Sequence, residues 1–305
     1  MHTHHHEHGH QHGGTPERRL RLALLFTLGF AGVEAAGGLW SGSLALLGDA
    51  GHMLTDSFAL GLAALASVVA RRPPSDRHSY GLGRIEVVAA LFNGVLMLGV
   101  VAGITAEAVQ RLESPQPVMG GAVMTVAAIG LGVNLGVAAL LHGGQDNINV
   151  RGALLHVLGD LLGSVAALTA GAVIYFSGWT PIDPILAVVV CVLILYSTVQ
   201  LLRDSLHVVM EGVPPELDLP EIGRAMAEQE HVSEVHDLHI WTLSSGQVAL
   251  SAHIMLRDMT RWEQVLPALT RMLESRFGVG HVTLQPETNV QVLHPFVSRS
   301  GTGPD

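Results

Sequence analysis

The run Leu44-Ala45-Leu46-Leu47-Gly48-Asp49-Ala50-Gly51-His52-Met53-Leu54-Thr55-Asp56 opens an apolar stretch that continues to Ala70. Its length exceeds the roughly 20 residues an α-helix needs to cross the hydrocarbon core of a bilayer. It nevertheless carries three ionisable side chains, and charge inside hydrocarbon is costly enough to be kept mainly where it has a function. On a helix His52 and Asp56 stand four residues apart and project from one face, with Asp49 three residues before His52 close to that face.

Working outward, further apolar stretches run over Leu20 to Leu39, Ile85 to Leu112, Met119 to Leu141, Ile148 to Phe176 and Ile182 to Met210, which makes six candidate spans. The composition agrees. Of 305 residues, 49% are hydrophobic and 14% are charged, with a mean hydropathy of +0.41, whereas soluble domains carry charge on about a quarter of positions. With 5% aromatics and 35 glycines, the apolar mass suits closely packed membrane helices. Disorder over most of the chain is excluded. The net charge of -10, with all 16 basic residues Arg, offers no surface for nucleic acid. The single Cys191 allows neither an internal disulfide nor a thiolate metal cluster.

Basic residues set the expected orientation. Arg18, Arg19 and Arg21 precede the first span, and Arg71, Arg72, Arg77 and Arg84 surround the connection between spans two and three. Positive charge is retained on the cytoplasmic side, so both termini are expected in the cytoplasm of a cell with the chain in its inner membrane. Trp40 and Trp179 then fall at the outer boundary, where indole rings are enriched.

Four regions follow. Residues 1–14 hold seven of the 18 histidines without an apolar run and read as a flexible segment. Residues 15–212 form the six-span domain. Pro214-Pro215 leads into a polar domain at 213–287, and residues 288–305 read as a loose tail. In the polar domain, helices are expected at Asp218 to Gln229 and Arg261 to Phe277, and strands at Val235 to Leu243, Val248 to Leu256 and His281 to Gln285. The order αββαβ suits a small antiparallel sheet with both helices on one face. The fold class is therefore an all-α six-helix transmembrane domain plus a small α+β, ferredoxin-like cytoplasmic domain.

Span five repeats the pattern of span two with His156 and Asp160. Two such pairs can supply two imidazole nitrogens and two carboxylate oxygens to one tetrahedral centre, a set that suits Zn²⁺. Cu(I) would prefer thiolates, and Mg²⁺ or Ca²⁺ an all-oxygen set. Each pair could instead be a packing contact between helices, but duplication within apolar spans favours a shared metal. Asp49 reads as an outer carboxylate beside the ligands, and Glu34, Asn93 and Asn134 as hydrogen-bond partners between helices.

The stretch from Ser43 to Asp56, the loop Tyr80-Gly81-Leu82-Gly83-Arg84-Ile85-Glu86, the run His156-Val157-Leu158-Gly159-Asp160 and the run His236-Asp237-Leu238-His239-Ile240-Trp241 together resemble the cation diffusion facilitators, specifically their bacterial zinc-efflux branch. The resemblance implies that His52, Asp56, His156 and Asp160 form the transport site. It also implies a homodimer in the lipid bilayer that expels Zn²⁺ in exchange for protons. Histidine at the first span-two ligand position goes, by the same resemblance, with preference for zinc over cadmium; Cd²⁺, Co²⁺, Fe²⁺ and Mn²⁺ stand as minor cargo.

His236, His253, His281 and Glu287 could hold regulatory zinc in the cytoplasmic domain, as relatives do. His239, with odd spacing from His236, is expected on the opposite face of its strand. Asp76 and His78 do not make a full site: Leu82 replaces a further histidine found in some relatives, leaving a weak two-ligand loop site. Arg84 and Glu211 match a charge pair of some relatives. An enzyme with zinc-activated water is disfavoured because four protein ligands leave no open position and no His-Glu-x-x-His run is present. A zinc sensor merely anchored by its spans would leave the buried His and Asp pairs without a purpose.

Overall fold

A computed structural model describes residues 16–142, 148–244 and 246–288. The amino-terminal histidines and the expected tail beyond Thr288 lie outside the described residues. The elements, in chain order, are α1 (Pro16–Ser41), α2 (Leu44–Ala70), α3 (Ile85–Glu113), α4 (Gly120–His142), α5 (Ile148–Ser177), α6 (Ile182–Val209), α7 (Leu219–Ala227), β1 (Val232–Ser244), β2 (Gln247–Leu256), α8 (Trp262–Phe277) and β3 (His281–Thr288). They fall into two units. One takes the described residues up to Ala70 together with Ile85–Ser205; the other takes Arg71–Arg84 and the described residues from Leu206 onward.

In the first unit, six helices among the described residues are long and apolar enough to cross a membrane. Their outward faces carry Phe26, Leu65, Val68 and Tyr196, each more than half exposed, an arrangement that suits a lipid surround. Helix α1 packs on α2 and α4, α2 on α3 and α5, and α4 on α5. Met97 and Val101 of α3 meet Cys191 and Ile194 of α6. Small residues permit this closeness, as where Ala108, Ala127, Ala167 and Ala187 from four helices share one buried cluster.

The start of α2 is fixed from a distance. The first backbone N–H groups of a helix have no partner within it. Here the Asp183 carboxylate of α6 accepts from the N–H of Leu44 at 2.6 Å and of Ala45 at 3.3 Å, and from the Ser43 hydroxyl. Ser43 Oγ in turn accepts from the N–H of Leu46 at 3.3 Å. Both Ser43 and Asp183 are fully buried.

The second unit has its own core, in which Ile222 and Met226 of α7 and Val265, Leu269 and Leu273 of α8 cover Leu250, Ala252, Ile254 and Leu256 of β2. The Asp218 side chain caps α7 by accepting from the N–H of Glu221 at 2.8 Å. Alternation along β2 sends these apolar residues to the covered face and leaves Ser251, His253 and Met255 on the other. The sheet order is β1-β2-β3. It corrects the all-antiparallel expectation: β1 and β2 are antiparallel, but β2 and β3 are parallel. The chain leaves β2, crosses over through α8 and re-enters the sheet in the same direction, as a helical crossover requires.

Candidate metal sites

In the helical unit, α2 and α5 bring His52 together with two carboxylates. His52 Nε2 lies 3.6 Å from Asp56 Oδ2, one turn along α2, and 3.9 Å from Asp160 Oδ1 on α5. Asp160 is 1% exposed, against 21% for His52 and 19% for Asp56, so the group is buried on its α5 side and open on its α2 side. These separations are too long for good hydrogen bonds. Donors bound at about 2 Å in a tetrahedron around zinc stand a little over 3 Å apart, so small movements would let one cation touch all three. His156 is on α5, four residues before Asp160; its side chain lies outside the described residues.

A second polar layer lies beside this group. Asp49, 2% exposed, sets its carboxyl against Gly163 of α5, where a side chain would occupy the same space. Asn134 of α4 donates to the Ser164 hydroxyl of α5 at 3.0 Å. The expectation that Glu34 also bonds between helices is corrected: among the described residues both its carboxyl oxygens have no hydrogen-bond partner.

In the other unit, His236 faces His253 directly across the β1-β2 ladder, and Gln285 of β3 is the register partner of His253 on its other side. Glu287, two residues further on, shares that face. Its carboxylate lies 3.1 Å from His236 Nε2 and 2.9 Å from His253 Nδ1. One donor atom from each of His236, His253 and Glu287 fits within 4.8 Å of the others, the only such trio among the described residues.

His281 does not join them. It pairs with Ala249, four residues along β2 from His253, or about 13 Å at the usual strand rise. Its ring instead meets Tyr80 edge-on, with centroids 5.5 Å apart.

The expectation for His239 is also corrected. Between His236 and His239 the β1 strand carries a bulge, with Asp237 at a φ of 50°, so His239 pairs with Ser251 and returns to the face of His236 and His253. Asp237 then lies among three imidazoles, 3.0 Å from His239 Nε2 and 3.7 Å from His253 Nε2. The hydrogen bond from His239, aided by the nearby His253 and His236, holds its carboxyl below the ordinary aspartate range.

Asp76 and His78 are exposed in a loop closed by paired backbone bonds between Ser75 and His78. No third His, Cys, Asp or Glu among the described residues completes a donor group with them. Arg84 and Glu211 form an ion pair at 3.1 Å, with both side chains well exposed, an interaction worth about 0–1 kcal/mol.

Comparison with known families fits these two units. The family model for the cation efflux transmembrane domain matches residues 20–210, and that for the cytoplasmic domain of cation efflux proteins matches residues 214–289. The chain belongs to the cation efflux family, the cation diffusion facilitators. As a cation efflux protein it is a multi-pass membrane transporter and not an enzyme.

Among the relatives of this cation efflux chain, Zinc transporter ZitB of Escherichia coli is 42% identical over 289 residues, covering 94% of this chain and 92% of that one. The Cadmium, cobalt and zinc/H(+)-K(+) antiporter of Bacillus velezensis is 40% identical over 293 residues, with coverages of 94% and 92%. Metal cation efflux system protein CzcD of Cupriavidus metallidurans is 41% identical over 288 residues, with coverages of 94% and 89%. The solved metal-bound C-terminal domain of CzcD is 38% identical, covers 23% of this chain and 99% of its own, and gives a TM-score of 0.22.

Three residues of this cation efflux chain carry roles that sequence reading missed. Asp183 caps α2 from 139 residues away, Gly163 admits Asp49, and Asp237 forms the bulge. Only Asp183 left a signal, as a buried-helix carboxylate without a partner nearby in sequence.

Proposed function

We propose that the chain exports Zn²⁺ from the cytoplasm in exchange for protons, holding its cargo in the membrane through His52, Asp56, His156 and Asp160. The observation that carries this reading is the placement of His52 Nε2 at 3.6 and 3.9 Å from carboxylates of two different helices inside a membrane-spanning unit. The names of the zinc transporter and of the cadmium, cobalt and zinc antiporter among its relatives support the cargo and the exchange. Cd²⁺ and Co²⁺, and more weakly Fe²⁺ and Mn²⁺, compete for the same nitrogen and oxygen donors.

The coupling needs little machinery. Imidazole and carboxylate bind metal only when deprotonated, so protons and Zn²⁺ compete for the same lone pairs. Imidazoles as a class titrate near neutrality, which suits a site that alternates between a cytoplasm and a more acidic exterior. In this reading both termini lie in the cytoplasm and the chain works as a homodimer in the inner membrane. His236, His253 and Glu287 would hold a regulatory Zn²⁺, to which they offer two nitrogens and a carboxylate already turned toward one another.

The test is zinc uptake into inside-out proteoliposomes with an acidified lumen. Uptake should begin with the gradient and stop when an ionophore collapses it. Equal uptake with and without the gradient would remove proton exchange from the account.

A further inference from the structure

One turn beyond His52 and Asp160, toward the end of the helical unit where α2 begins, Asp49 of α2, Asn134 of α4 and Ser164 of α5 stand at one level, and Glu34 of α1 reaches α4 at Gly130, one turn from Asn134. Asp49 precedes His52 by three residues and Ser164 follows Asp160 by four, and the contact of Asp49 with Gly163 confirms the shared level. Glu34 and Asn134 have no exposed surface and Asp49 has 2%. Among the described residues, both oxygens of Glu34, Oδ2 of Asp49 and Oδ1 of Asn134 lack a hydrogen-bond partner. Every one of these open atoms is an acceptor, and the amide N–H₂ of Asn134 already donates to Ser164.

Buried acceptors this close together favour a proton on one of the carboxyl groups, because unpaired buried carboxylates are prohibitively costly. A bound metal is the poorer match: among the described residues, the acidic groups of this layer do not join a close-spaced donor trio. Glu34 Oε1 lies 3.0 Å from where a β-carbon of Gly130 of α4 would stand, with the Phe30 ring beside it. The charged groups that face Glu34 are Asp49 from α2 and Asp160 from α5; α4 places no ionisable residue before His142.

We propose that Glu34 carries one of the protons of the exchange, being protonated while the His52, Asp56 and Asp160 group is metal-free and ionised while that group holds a divalent cation. The assignment rests on the proton exchange proposed above. A dication held by Asp56 and Asp160 cancels the negative charge near Glu34 and so favours its carboxylate. The O–H bond of the Glu34 carboxyl then breaks, its electron pair stays on the oxygen, and the proton leaves to the side that delivered the metal. When the metal departs to the opposite side, a proton from that side re-forms the bond. Linkage makes the relation reciprocal: protonation of Glu34 weakens metal binding by the factor by which metal weakens protonation.

Two measurements on the full chain in proteoliposomes test this. Infrared spectra of the metal-free protein above neutral pH should show the carbonyl band of a neutral carboxylic acid that fades when Zn²⁺ is added, and Glu34→Gln should lack that fading component. With a lumenal pH dye, Glu34→Gln should expel about one proton fewer per zinc than the unmodified chain. No such band in the unmodified protein, the same band in Glu34→Gln, or an unchanged proton count would overturn the assignment. Should the variant fail to insert, the spectrum of the unmodified protein decides alone. Zinc flux that expels no protons in the unmodified chain would instead end the exchange reading, and this assignment with it.

Discussion

The absence of one side chain at Gly163 lets the Asp49 carboxyl sit against α5 beside the proposed cargo ligands. Gly163→Ala puts a methyl group onto that carboxyl, and overpacking of this kind costs about 1–3 kcal/mol. Thermal unfolding in detergent should therefore show a clearly lowered Tm for Gly163→Ala. Gly136→Ala, where nothing stands within 4 Å, should unfold at or slightly above the unmodified temperature. The pairing of His52 with Asp56 was legible in the sequence because helical spacing is a local property. The face of His239 was not, because one extra residue at Asp237 reverses strand parity without leaving a mark in the hydrophobic pattern. Asp237 also illustrates the sign of a lowered carboxyl pKa. Its contact with His239 contributes to stability above the ordinary aspartate range and is lost as pH falls through the lowered value. The exposure of Asp237 keeps that contribution small.

At the scale of elements, the level of α2 in the bundle is set by Asp183 of α6 at its first turn and by close packing against α5 lower down. A carboxylate at a helix N-terminus also meets the positive end of the helix dipole. Asp183→Ala frees two buried N–H groups and a hydroxyl, and hydrogen bonds to a charged group contribute about 1.5–3 kcal/mol each. The variant should lose stability by at least one such bond, and His52 should lose its alignment with Asp160. Lowered Tm together with weakened zinc binding would show this; an unchanged pair of values would mean that α2 is positioned without the cap. The helices themselves were readable, since a bilayer demands long apolar runs, and α2 spans Leu44–Ala70 as expected. Strand pairing was not readable. Whether β3 runs with or against β2 depends on the path of α8, and that path separates His281 from His253.

The whole molecule divides its chemistry between two units with separate cores, one wrapped by outward apolar side chains and one built on a small mixed sheet. Each unit gathers histidine and carboxylate donors from elements distant in sequence: His52 with Asp160 in the first, His236 and His253 with Glu287 in the second. Sequence reading anticipated the first site because charge within apolar spans stands out against its surroundings, and the second through the resemblance to the cation diffusion facilitators. It placed the cytoplasmic donors less well because exposed histidines on strands do not stand out. The central claim is that the α2 and α5 group carries the cargo. Its most direct test is zinc uptake into inside-out proteoliposomes under an imposed proton gradient, comparing the unmodified chain with Asp56→Ala and Asp160→Ala at equal insertion. The account predicts that both substitutions abolish uptake; uptake that persists in both variants would contradict it.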